Sequence, residues 1–168
     1  MSRLDSFIRR LEAQRACLDL ATDRVRDRRG LIFELGLGNG RTYDHLRQRL
    51  PERRILVFER SINAHVGSLP AAADLILGPL EHTLPAAARD HAGEVDLVHS
   101  DLGCGDPTID AELARFVGTA LLPALSQGAL IVSDQEFKVA ALSEVPLPEG
   151  VGGRRYFFYT NRSISQET

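Results

Sequence analysis

Residues 31–46, LIFELGLGNGRTYDHL, constrain this chain more than any other stretch. Leu31, Ile32, Phe33 and Leu35 read as a buried apolar strand, Gly36, Gly38 and Gly40 as a turn, and the residues after them as the first turn of a helix. A glycine turn between strand and helix lets the backbone approach a ligand where side chains would collide, and it offers free N–H groups at a helix N-terminus to an electron-rich group. The same turn also serves purely structural ends in α/β proteins. Its spacing is informative. A dinucleotide fingerprint runs G-x-G-x-x-G, whereas here the third glycine comes one residue early and an acid, Glu34, stands two positions before the first.

Further strands follow at the intervals of a parallel α/β unit. Residues 54–60, RILVFER, form an apolar strand ending in Glu59, roughly the twenty residues downstream at which such units place a ribose-binding carboxylate. A carboxylate accepts two hydroxyl hydrogen bonds side by side, so Glu59, with Arg60 beside it, is the candidate for the ribose 2′ and 3′ hydroxyls; the alternative is an acid at a solvated strand end. A helix is expected over 42–50, a third strand over 73–77, a fourth over 94–100 and a fifth over 128–133, with a long helix over 109–125 before the last. Ligands in open α/β sheets sit beyond the carboxyl ends of the strands, so Asp101 projects into the same crevice as Gly36 and Glu59. His99 alternates with apolar neighbours inside its strand, which suits a hydrogen-bonded structural histidine more than a catalytic base. Cys104 has no evident histidine partner for a nucleophilic role.

An acid followed by G-x-G-x-G resembles the first motif of the class I S-adenosylmethionine (SAM)-dependent methyltransferases, and the likeness extends over residues 31–135. It implies a doubly wound, Rossmann-like α/β sheet, mostly parallel, with an antiparallel last strand supplied by 154–160, RRYFFYT, at an edge, and with a shortened helix between the fifth and sixth strands. It implies SAM as cofactor, with Gly36, Gly38 and Gly40 leaving room for its methionine part, Glu34 helping to hold its ammonium, and Gly78 and Leu80 at the adenine. Pro79 cannot donate a hydrogen bond there, which leaves the backbone of Leu80, or Glu81, for that contact. A second likeness, to metal-dependent catechol-type O-methyltransferases, puts Asp101, Asp134 and Gln135 where a divalent ion would be held, although glutamine stands where that group carries asparagine; a metal is possible on this ground but not favoured. No N/D-P-P-Y/F motif follows the fourth strand, so methylation of an exocyclic base nitrogen or glutamine amide loses its usual sign.

The expected activity is methyl transfer from SAM to a small molecule, with Asp101 as the catalytic candidate and also a cofactor-binding candidate for the ammonium, and with Asp134 and Tyr156 as the next place to seek the acceptor. The competing readings are a non-catalytic SAM-binding protein and a NAD(P)-dependent Rossmann oxidoreductase. The length of 168 residues suits one domain at 30–168 preceded by a helix over 2–29, capped by Ser2 and stopped by Gly30. Leu4, Leu11, Leu18 and Val25 recur at seven along it, a stripe that must pack on the domain or pair with a second subunit, the basis for expecting a homo-oligomer. A net charge of −3 argues against nonspecific nucleic-acid binding. Two cysteines without a C-x-x-C pattern, no signal peptide and no apolar run long enough to span a bilayer suit a cytoplasmic protein.

Overall fold

The computed structural model describes residues 2–153 and 155–162. Helix α1 (Arg3–Arg24) opens with a reciprocal cap: the Ser2 hydroxyl accepts from the Asp5 N–H at 3.0 Å while the Asp5 carboxylate accepts from the Ser2 N–H at 2.9 Å. It is followed by β1 (Leu31–Leu35), α2 (Arg41–Arg49), β2 (Ile55–Glu59), β3 (Leu75–Leu77), α3 (Leu80–Asp90), β4 (Val95–Ser100), α4 (Pro107–Ala120), β5 (Leu125–Ser133), β6 (Leu142–Glu144) and β7 (Phe157–Asn161). The strands form one sheet in the order β3-β2-β1-β4-β5-β7-β6, parallel from β3 to β5, with β7 antiparallel to both its neighbours.

Strand periodicity sorts the core onto two faces. Ile32, Ile55, Val57, Leu97, Leu130 and Val132 meet Cys17, Leu18, Ala21 and Val25 of α1 and Leu46 of α2. On the other face Phe33, Phe58, Val98 and Ile131 meet Leu84 and Ala88 of α3 and Ala114 and Val117 of α4. Helices therefore cover both faces, as a doubly wound sheet requires. Along α1, the C-terminal half belongs to the domain core, whereas Leu4, Phe7 and Ile8 near its start are exposed.

Several expectations need correction. Helix α1 stops at Arg24, before Gly30, and the helix expected over 109–125 ends at Ala120 in favour of a 3₁₀ turn, Leu122–Ala124, that runs directly into a longer β5. No helix separates β5 from the next strand. Instead the chain makes the short strand β6, which sequence periodicity did not reveal, and β6 takes the edge. The aromatic strand lies inside the sheet, between β5 and β6, so both its edges are paired; Arg154, expected at its start, lies outside the described residues. Among the described residues no helix is long and apolar enough to cross a membrane.

The N-terminal ends of the strands are tied by two arginines, Arg28, which pairs with Asp96 at 2.9 Å and donates to the Gln127 and Gly128 carbonyls, and Arg53. Arg53 donates to the carbonyls of Val25, Arg28 and Gly30 and pairs with Asp96 at 2.9 Å, with side-chain exposures of only 7% and 5%. The same Asp96 accepts from the Gly30 N–H at 2.6 Å and from Ser126 at 2.7 Å. This arrangement fixes the connection from α1 into β1 against β2 and β4. Arg53→Ala leaves Asp96 with Arg28 as its remaining guanidinium partner and removes the side-chain donor from the carbonyls of Val25, Arg28 and Gly30, so it should lower the unfolding free energy by about 1–3 kcal/mol, read as a shift in the urea midpoint with an unchanged slope.

Candidate active site

At the opposite end of the strands each turn is fastened to its neighbour. The Gly36 N–H donates to the Phe58 carbonyl at 2.9 Å, Asp101 to Leu35 at 3.2 Å, Gly78 to Glu59 at 3.0 Å and Asp134 to Ser100 at 3.0 Å. All three glycines of the first turn have positive φ, but they do different work. A side chain at Gly36 would meet the Asp101 carbonyl at 2.9 Å, and one at Gly40 would meet Ser68 at 2.5 Å, so these two serve close packing. Gly38 faces open space, with nothing within 4 Å of where its Cβ would stand. Gly40 also begins α2 without any side-chain cap.

Glu59 sits where expected, at the end of β2, and its carboxylate is already engaged. One oxygen accepts from the N–H groups of Leu37 and Gly38 at 2.9 and 3.0 Å, the other from those of Arg60 and Ser61 at 2.7 and 3.2 Å. It thus clamps the glycine turn to the end of β2. The Arg60 side chain is exposed. Leu80 opens α3, and Gly78, at φ 143°, precedes it at the far side of Glu59.

Glu34 does not line the crevice. It is fully buried, pointing with Ile32 to the face covered by α1 and α2, where one oxygen accepts from Thr42 and the other meets His99 Nδ1 at 2.8 Å. This placement corrects the expectation of a direct ammonium contact, because strand parity turns the side chain under the turn. The other side of the His99 ring lies 3.3 Å from the Tyr156 hydroxyl. Burial pulls the His99 pKa down, but the charge of Glu34 and its hydrogen bond outweigh that and raise it. The Tyr156 hydroxyl accepts from Gln14 Nε2 at 2.5 Å, and the same amide donates to Asp101 at 2.9 Å. Burial and the nearby Asp101 push the Tyr156 pKa upward, which keeps it a neutral phenol. Gln14 and Tyr156 thereby join Glu34 and His99 to Asp101. A polar residue within the apolar stripe of α1 is the signal that would have singled out Gln14.

Asp101 lies at the mouth of the crevice, its side chain 24% exposed, and pairs with Arg10 of α1. The carboxylate of Asp134 accepts from the N–H groups of Leu102 and Gly103 at 3.2 and 2.9 Å and from Gln135 Nε2 at 3.2 Å. Burial and the charge of Asp101 raise the Asp134 pKa. The carboxylate oxygens of Asp101 and Asp134 are thus engaged by protein donors, and among the described residues no group of three or more His, Cys, Asp or Glu side chains is placed to hold an ion. Above them opens a cleft of ≈ 600 Å³ between α1 and the loops that follow β4 and β5. Cys104, exposed in the β4 loop, lines it.

This geometry has known counterparts. Residues 1–161 match the family described as S-adenosyl-L-methionine methyltransferase. The chain is 43% identical to an S-adenosyl-L-methionine methyltransferase of known structure from Silicibacter pomeroyi, covering 96% of this chain and 99% of that one with a TM-score of 0.91. At 10% identity it shares its fold with a putative caffeoyl-CoA O-methyltransferase from Staphylococcus aureus, covering 87% of this chain and 82% of the other, TM-score 0.58. At 16% identity it shares it with an O-methyltransferase from Streptomyces achromogenes solved with SAM, covering 87% and 79%, TM-score 0.57. No curated protein matches the sequence. A family match running from α1 to the end of β7, with a near full-length relative beside it, makes this chain an S-adenosyl-L-methionine methyltransferase.

Proposed function

We propose that the chain transfers the methyl group of SAM to a small molecule seated in the cleft beneath α1, with Asp101 as the catalytic residue that meets it. One observation carries this reading: Asp101 links the cleft to the glycine turn, since its carboxylate pairs with Arg10 on the cleft's α1 wall while its backbone carbonyl packs against Gly36. Its volume lies in the usual range for small-molecule sites.

The crevice fits the cofactor by its own shape and chemistry. Gly38 leaves an open side where any larger residue would intrude, and the uncapped start of α2 supplies N–H donors. In this reading Gly36, Gly38 and Gly40 shape the methionine end, Glu59 and Arg60 meet the ribose, Gly78 and Leu80 flank the adenine, and Glu34 holds the turn from below. The bound sulfonium supplies an already activated methyl, so the protein's contribution is chiefly orientation, worth up to about 7–11 kcal/mol of barrier in favourable cases. Asp101, held by Arg10 and Gln14, is aimed to accept the acceptor's proton or to hold the attacking atom in line. No step in this scheme uses a metal.

The remaining expectations attach to other parts of the chain. The free thiols of Cys17 and Cys104 suit a reducing cytoplasm. A homo-oligomer that pairs through α1 would use its exposed start, Leu4 and Ile8, because Leu18 and Val25 are committed to the domain's own core.

Gly38→Val should abolish SAM binding in calorimetry while the far-ultraviolet circular dichroism stays native; retained affinity would reject the crevice assignment. Asp101→Asn should leave SAM affinity within about twofold and cut transfer of labelled methyl into a small-molecule extract by about 10²–10⁴-fold. Weakened SAM binding would instead assign Asp101 to the cofactor's ammonium, and label entering protein or RNA would displace the small-molecule reading. In sedimentation, Leu4→Glu with Ile8→Glu should convert an oligomer to a monomer, and a monomeric wild type at micromolar concentration would exclude self-association.

A further inference from the structure

The acceptor cleft has two chemically different walls. One is a single face of α1, with Arg3, Ser6, Phe7 and Arg10 at i, i+3, i+4 and i+7, joined by Arg155 from the segment leading into β7. The other is the pair of loops after β4 and β5, with Asp134 and Gln135.

The charges on these walls are not equally available. Asp110 spends its carboxylate on the Cys104 and Gly105 N–H groups at 2.8 and 3.1 Å, and Asp134 spends its own on Leu102 and Gly103. Arg10 is committed to Asp101. Arg3 makes no hydrogen bond or ion pair within the described residues, and Arg155 makes one weak contact, from Nη1 to the Ser6 carbonyl at 3.3 Å. The acids are therefore consumed by the loops that build the floor, while two guanidinium groups with five donors each face the cleft largely unspent. Phe7, on the same helix face, is 46% exposed. A planar donor fork recognises a carboxylate or a phosphate group, and an exposed aromatic face takes an apolar or aromatic body.

We propose that the methyl acceptor is a small oxyanion-bearing molecule, its carboxylate or phosphate gripped by Arg3 and Arg155 and its apolar body laid on Phe7, which turns its nucleophilic atom toward Asp101. This rests on the cleft being the acceptor site. The chain's net charge of −3 gives no general attraction for anions, so any preference must come from the cleft itself.

The test uses the full chain saturated with S-adenosylhomocysteine, the demethylated cofactor, and titrated by calorimetry with benzoate, phenyl phosphate and uncharged benzamide. At least one oxyanion should bind tenfold or more tightly than benzamide, and the advantage should shrink as salt is raised. The better of benzoate and phenyl phosphate identifies the group recognised. Arg3→Gln and Arg155→Gln should each weaken oxyanion binding fivefold or more and leave S-adenosylhomocysteine affinity unchanged. Benzamide binding as well as the oxyanions, or the double variant retaining oxyanion affinity, would overturn the proposal. Failure of S-adenosylhomocysteine to bind at all would overturn the cofactor assignment as well, whereas cofactor binding without oxyanion preference removes this inference alone.

Discussion

A carboxylate and an imidazole, Glu34 and His99, face each other across β1 and β4 at matched register, both fully buried. Groups of this kind persist in a sheet interior only when each polar atom has a partner, since a stranded one costs more than the bond it would have made. The partners reach outward in both directions. Thr42, in the first turn of α2, takes one end, and Tyr156, Gln14 and Asp101 continue from the other. The position of α2 after the glycine turn and that of α1 over the sheet are thus both referenced to one pair inside it. Any slip of α1 along the sheet would break the Gln14 contacts to Tyr156 and Asp101 together, and so move the α1 wall of the cleft.

The strand ends were legible in the sequence because they are announced by glycine turns and acids. Gly38, Glu59 and Asp101 all stand where spacing put them. Glu34 was misread because a residue's neighbourhood in sequence does not say which face it occupies. Its two-residue offset from Ile32 assigns it to the α1 side, and the same parity pairs it with His99. Strand β6 was illegible because three residues carry no periodicity, and its place beyond β7 is decided by non-local pairing. The seven-residue stripe on α1 correctly announced an apolar face, but it did not disclose that the sheet runs out beneath Leu4 and leaves the first turns standing over the cleft.

Glu59 fixes the glycine turn within the fold itself. Four backbone N–H groups converge on its two oxygens, so that turn is drawn to the end of β2. Under the proposed cofactor assignment, ribose hydroxyls would share a carboxylate whose alignment is already set at folding.

The division of α1 has a consequence for how this molecule can change. Its later turns, around Cys17, Leu18 and Ala21, are buried against the sheet and tolerate little, while Arg3, Phe7 and Arg10 meet only the cleft, the loops and solvent. The helix works as a handle set in the domain at one end and carved at the other. Under the proposed acceptor assignment, a lineage of such enzymes would exchange one kind of acceptor for another by rewriting the first turns of α1, without disturbing a strand or the order in which the sheet assembles.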